Sequence, residues 1–297
     1  MPKWTRWTVG VLIVIAAAYY WLLVESHRPP GSYPIDLGEV RRLANSIPGA
    51  KPQSIHVERV ATFSFPEALV MAGASWNSGT GPAASFQIVY PGRTVIVDTA
   101  MDEKITNALG RAAFHPESYR RMIQAMSSAS LILITHEHPD HIGGIASYPD
   151  PARLIPSVRL TREQANHPEK MDPARLPPVS FQVIDYDRYL AAAPGIVLIK
   201  SPGHSPGSQM VFIQREDGAE FLLLGDVAWQ MRNVDRVRER PRLVTAFMLQ
   251  EDRAAVLREL AELHRLKQAE PNLHMIPGHE DAAVDSLHGL LIENFRP

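Results

Sequence analysis

Between Leu131 and Gly144 the chain reads Leu-Ile-Leu-Ile-Thr-His-Glu-His-Pro-Asp-His-Ile-Gly-Gly. An apolar run of strand character ends at Thr135, and His136, His138, Asp140 and His141 follow within six residues. Side chains alternate along extended backbone, so His136 and His138 face one side, while Pro139 turns the chain and lets Asp140 and His141 face an adjacent position. Gly143 and Gly144 remove bulk where the next helix must close on the same place. Four donors so close together suit two metal ions better than one. The chain has twelve histidines and no cysteine, which excludes disulfides, thiol nucleophiles, iron–sulfur clusters and cysteine-ligated zinc and leaves His, Asp and Glu as the strong ligands.

The same local pattern recurs. His204 (Ser-Pro-Gly-His), Asp226 (Leu-Leu-Leu-Gly-Asp) and His279 (Ile-Pro-Gly-His) each follow an apolar run and sit beside a glycine, and Asp98 closes Val-Ile-Val-Asp. Polar groups at the carboxyl ends of several strands converge on one edge of a sheet. A zincin helix is excluded, because Asp140 stands where the second histidine of His-Glu-x-x-His would be.

In order, a strand-end Asp98, His136-x-His138-x-Asp140-His141, His204, Asp226 and His279 resemble the motifs of the metallo-β-lactamase superfamily, over roughly residues 55 to 285. The resemblance implies an α/β, four-layer αββα sandwich with the site at one edge of its sheets. It implies that His136, His138 and His204 bind one metal and Asp140, His141 and His279 the other. Asp226 would bridge, and Asp98 would orient a ligand from behind. Imidazole and carboxylate suit Zn²⁺ best, with Mn²⁺ or Fe²⁺ as alternatives. Such a pair holds a hydroxide as nucleophile at neutral pH, and Asp140 is the candidate to pass a proton to the leaving atom. The expectation is therefore a binuclear metal-dependent hydrolase with Asp140 and Asp226 as catalytic residues.

Within that superfamily, Pro202-Gly-His-Ser-Pro-Gly-Ser208 with Gly-Asp226 and Gly-His279 resembles the N-acyl-homoserine lactonase and glyoxalase II branches. An ester or lactone is the expected substrate. Lactonases commonly carry a tyrosine three residues after the bridging aspartate; here Trp229 stands there, able to donate through its indole N–H but not to act as a phenol acid. Eighteen residues follow His279, so a glutathione-binding helical domain is not expected. The alternatives are a β-lactam hydrolase, which Asp226 disfavours, a phosphodiesterase gripping phosphate with arginines, and a metal-binding scaffold without catalysis. Trp76, Trp229, Met231 and the proline-rich loop 167–178 are candidate walls of a small-molecule pocket. The net charge of −2 gives no reason to bind nucleic acid.

Trp7 to Val24 contains no charge and, as a helix, spans roughly 27 Å, the thickness of a bilayer core. Lys3 and Arg6 precede it, which places the N-terminus in the cytoplasm and the bulk of the chain outside. A cleaved signal peptide ending near Ala16–Ala18 is the competing reading. The expected organisation is a cytoplasmic tail (1–6), a single transmembrane anchor (7–24), a juxtamembrane linker with a short helix at Asp36–Ser46 (25–50), and one extracytoplasmic catalytic domain (51–297). Strands are expected at His56–Phe63, Ala68–Met71, Ala84–Val89, Thr94–Val97, Leu131–Thr135, Ile196–Lys200, Phe221–Leu224 and Leu273–Ile276. Helices are expected at Pro116–Ser127, Thr161–Asn166 and Glu251–Lys267. The five arginines from Arg232 to Arg242 read as a solvated face, or else as an anion-binding edge.

Overall fold

The computed structural model describes residues 3–29 and 31–296; Met1, Pro2, Pro30 and Pro297, which belong to the expected tail, linker and catalytic domain, lie outside the described residues. One sheet is built from β1 (Ser54–Pro66), β2 (Ser78–Tyr90), β3 (Arg93–Val97), β4 (Ala112–Phe114), β5 (Leu131–Leu133), β6 (Val158–Thr161) and β7 (Gln182–Ile184). The second takes β8 (Tyr189–Ala193), β9 (Ile196–Lys200), β10 (Gln209–Gln214), β11 (Glu220–Leu223) and β12 (Leu273–Ile276), and β13 (Leu291–Glu293) returns to pair with β1 in the first. The orders are β13-β1-β2-β3-β5-β6-β7, with β4 also on β1, and β12-β11-β10-β9-β8.

Alternation along these strands produces the layers. In β3, Val95 and Val97 face the second sheet while Ile96 faces the helices behind the first. In β9 and β10, Ile196, Leu198, Val211 and Ile213 turn inward; Val197, Ile199, Met210 and Phe212 turn outward onto Val256, Leu260 and Leu263. Three cores therefore separate four layers, the αββα sandwich. The helix Arg253–Ala269 covers the second sheet, its first turn capped by Asp252, which accepts from the Ala254 and Ala255 amides. The helix Pro116–Ser128 covers the first sheet through Met122, Ala125 and Met126.

Two local expectations are corrected. Ala68–Met71 is not a strand: Glu67–Val70 forms one helical turn between β1 and β2, since a four-residue apolar run carries no period of its own. The Arg232–Arg242 stretch is not a solvated face, because Arg232 pairs with Glu67, Arg240 with Glu251 and Arg242 with Glu25. Strands β4, β6, β7, β8, β10 and β13 add to those expected from sequence. At the N-terminus, Lys3–Tyr19 is helical and continues through a wider turn to Val24. This is one helix long and apolar enough to cross a membrane, with 6% of its apolar window buried against the rest of the molecule.

Candidate metal centre

Every donor sits where an element ends. His136 and His138 follow β5, and Asp140 and His141 lie in the first turn of the helix Pro139–Ala146. His204 lies in the loop between β9 and β10, Asp226 just after β11 and His279 just after β12. The close approach needs small residues. A Cβ on Gly144 would overlap the Thr99 carbonyl, and one on Gly81 would overlap the backbone of His279.

The structure brings the seven residues together in two groups, His136, His138, His204 and Asp226, and Asp140, His141 and His279, the donor atoms of each lying within 4.8 Å of one another. Asp226 lies between them. Its Oδ1 is 3.3 Å from the Nε2 atoms of both His141 and His279, and its Oδ2 is 3.4 Å from His204 Nε2 and 3.8 Å from His136 Nε2. Asp140 Oδ2 stands 3.4 Å from His279 Nε2. His138 Nδ1 and His204 Nε2 face each other at 2.8 Å. His136 Nε2, His141 Nε2 and Asp226 Oδ1 are buried without a hydrogen-bond partner. Native proteins rarely leave such atoms orphaned, and a cation in each group would satisfy all three.

Around the donors, other groups fix which ring nitrogen points inward. Asp98, in the left-handed region at φ 61, accepts from the Thr135 amide at 2.6 Å and holds His141 Nδ1 at 2.8 Å, leaving Nε2 for the centre. The Pro82 carbonyl holds His279 Nδ1 at 2.8 Å. Two further residues went unrecognised in the sequence. Glu251 Oε1 lies 2.6 Å from His204 Nδ1 and accepts from Arg240 Nε at 2.7 Å, all three side chains being at most 1% exposed. Glu137, between the two histidines, points the opposite way and accepts from Ser205 Oγ at 2.9 Å and the Gly207 amide at 3.1 Å. The alternation that aimed His136 and His138 inward could have flagged Glu137, whereas nothing local marks Glu251.

Burial, reinforced by the neighbouring rings, holds His136 and His138 well below the ordinary imidazole range, so they are neutral donors. Burial also opposes charge on His141 and His279, but carboxylates win: Asp98, Asp226 and Asp140 raise His141 well above the ordinary value, and Asp226 with Asp140 raises His279. Although burial opposes it, the surrounding imidazoles keep Asp226 well below the usual carboxylate range. In the metal-free centre, protons on His141 and His279 offset the carboxylates, and these are the protons that bound cations would displace.

A cavity of about 560 Å³ opens onto the donors. Its polar floor includes His138, Asp140, Asp226 and His279; its apolar wall includes Phe65, Leu69, Leu109, Val244, Met248 and Leu249. Trp229 lines it, its Nε1 donating to Asp226 Oδ2 at 2.6 Å, and Glu169, Lys170 and Asp172 enter from the 167–178 loop. Trp76 and Met231 do not line it. Trp76 stands on an exposed turn, where its Nε1 donates to the Tyr19 hydroxyl, and Met231 packs against the core behind the second sheet.

Residues 78–279 match the family model described as the metallo-β-lactamase superfamily. An N-acyl homoserine lactonase of Bacillus thuringiensis is 29% identical over 135 residues, 45% of this chain and 48% of that protein. A hydroxyacylglutathione hydrolase of Xanthomonas axonopodis pv. citri is 34% identical over 101 residues, 33% of this chain and 34% of that protein. The chain spans about half the length, or less, of these curated relatives. Among solved structures, an N-acyl homoserine lactone hydrolase with the product N-hexanoyl-L-homoserine bound at its catalytic metal center superposes with a TM-score of 0.63. The identity is 19%, over 80% of this chain and 96% of that one. A hydrolase described as belonging to the beta lactamase superfamily superposes with a TM-score of 0.51 at 16% identity, over 78% of this chain and 91% of that one.

Proposed function

Because this chain belongs to the metallo-β-lactamase superfamily, we propose that its seven-residue cluster is a binuclear metal centre that hydrolyses an acyl bond, an ester or a lactone. The observation that carries the reading is the pair of donor groups flanking Asp226, with three buried orphan atoms aimed between them. His136, His138 and His204 would hold one cation and Asp140, His141 and His279 the other, with Asp226 shared. Zn²⁺ suits these donors best. The bound cations would supply Lewis acidity and activate water at neutral pH.

The chain's own residues do the rest. Asp98, Glu251 and the Pro82 carbonyl keep the rings of His141, His204 and His279 turned to the centre. Asp140 borders both the donors and the cavity, so its carboxyl group is placed to hand a proton to the departing oxygen. Trp229 donates its indole N–H to Asp226, fixing that carboxylate and presenting an aromatic wall to the acyl group. The similarity to a lactonase supports a lactone as the first substrate to try. We further propose that residues 7–24 anchor the chain in a membrane, with 1–6 cytoplasmic, 25–50 a linker and the catalytic domain of 51–297 outside.

The test is a hydrolysis panel on the full chain in detergent, loaded with zinc or with manganese: acyl-homoserine lactones, aryl esters, a cephalosporin and an aryl phosphodiester, with Asp226→Ala as background. Lactone or ester turnover that the substitution lowers at least a hundredfold is expected. Turnover of the phosphodiester or the cephalosporin alone would overturn the acyl assignment.

A further inference from the structure

The cavity is not remote from the apolar N-terminal helix: the chain just beyond one of its walls and the short helix that forms another both touch residues 19–25. One wall comes from the end of β1 and the turn beyond it, Phe65 to Leu69. Just past it, the Gly73 amide donates to the Leu23 carbonyl at 2.8 Å and Trp76 Nε1 donates to the Tyr19 hydroxyl at 2.9 Å. The other wall is the helix Arg242–Phe247 with Met248 and Leu249. There Arg242 stacks 4.6 Å over the Trp21 ring and pairs with Glu25, and Arg253 donates to the Glu25 carbonyl at 3.0 Å.

Beside this junction large apolar side chains face solvent: Phe247 is 64% exposed, Met248 63% and Trp76 55%; on the cavity wall Leu109 is 40% exposed. A soluble surface seldom gathers such groups without a partner. Met248 and Leu109 belong to the cavity wall as well, so apolar surface runs from the outside of the molecule to the donors. Tyr19, Tyr20 and Trp21 are the aromatics that mark the headgroup level of a membrane span, and Trp76 is bonded at that level. Together these contacts say what covers the patch.

We propose that the rim formed by Trp76, Phe247 and Met248 rests in the lipid interface, and that the cavity takes its substrate from the membrane. The substrate class is an amphiphile whose ester or lactone head reaches the metal centre while its long acyl chain stays partly in the bilayer. This rests on the acyl-hydrolase reading and on residues 7–24 as an anchor. The chemistry is hydrolysis: water adds across the acyl C–O bond, giving a carboxylic acid and a hydroxyl group, with no other reactant.

The absence of cysteine makes the test direct. The full chain, metal-loaded in vesicles of phosphatidylethanolamine and phosphatidylglycerol, carries a fluorophore on one introduced cysteine, Phe247→Cys or Glu216→Cys. Glu216 is exposed in the β10–β11 hairpin, at the end of the second sheet opposite Asp226. Spin-labelled lipid is expected to quench the label at 247 at least threefold more than that at 216. In the same vesicles, the ratio of kcat/KM for N-dodecanoyl over N-butanoyl homoserine lactone is expected to fall tenfold or more in Trp76→Gln/Phe247→Ser. Equal quenching in a chain that floats with the vesicles would overturn the lipid contact while the anchor stands. A chain that does not float would overturn both. Quenching at 247 with an unchanged chain-length ratio would overturn the substrate class, and quenching with neither the lactones nor aryl esters of the same two acids hydrolysed would overturn the acyl-hydrolase reading beneath it.

Discussion

Replacing Glu251 by glutamine separates two roles that one carboxylate combines. Its Oε1 meets His204 Nδ1 and both Nε and Nη2 of Arg240 at 2.6–2.7 Å, and Arg240 is 1% exposed. Arg240 has no other carboxylate partner among the described residues; its Nη2 also approaches His204 Nδ1 at 3.3 Å, and its guanidinium lies 5.0 Å from the centre of the Trp229 ring. Removing one member of such a buried pair costs about 3–5 kcal/mol, because the remaining charge is left uncompensated. Glutamine keeps an accepting oxygen, so the low end, about 3 kcal/mol, is expected. Separately, His204 loses the ionised acceptor that orients its ring, a change that typically weakens metal binding by about 10–100-fold. Urea unfolding of the metal-free protein reads the first effect and competition with a chromophoric chelator the second. Adding Arg240→Met should restore most of the stability, since no buried charge remains, and none of the metal affinity. If Glu251→Gln unfolds within about 1 kcal/mol of the parent and binds zinc equally well, the pair neither stabilises the fold nor positions His204.

Two other perturbations follow from the same neighbourhood. Burial pushes Glu259, beneath the His204 loop, up to about 8, so the folded protein keeps a proton there that the unfolded chain releases above its ordinary value near 4.5. Stability should therefore fall as pH rises, by about 1.4 kcal/mol per unit between those limits; Glu259→Gln should flatten that slope in pH-dependent urea unfolding, and an unchanged slope would refute the assignment. Gly144→Ala should destabilise the fold by about 2 kcal/mol or more through overlap with Thr99, with metal binding weakened because Asp140 and His141 ride on the same short helix; melting and zinc titration check both.

The donors were legible because each stands at the end of an apolar run beside a turn-forming residue, a signal that survives without tertiary knowledge. The runs marked strands, and the four-layer arrangement came from the family resemblance of the donor motifs. What stayed hidden depends on partners distant in sequence. Arg232, Arg240 and Arg242 look like a solvated run until Glu67, Glu251 and Glu25 arrive from elsewhere. Ala68–Val70 is too short for either period to declare itself, and Met210–Ile213 in β10, buried on both faces, shows no alternation to read. Trp76 is an aromatic near a strand end like Trp229, yet its turn carries it to the N-terminal helix rather than to the cavity.

The donor groups have one more property. His136 and His138 extend from the first sheet and His204 from the second; in the other group Asp140 and His141 come from the first sheet's side and His279 from the second. Each cation would thus act as a staple across the inter-sheet core, so loading the centre and clamping the sandwich shut become one event. A chain with its sheets apart has no such site to offer, so loss of metal would weaken the seam between the sheets as well as stop turnover.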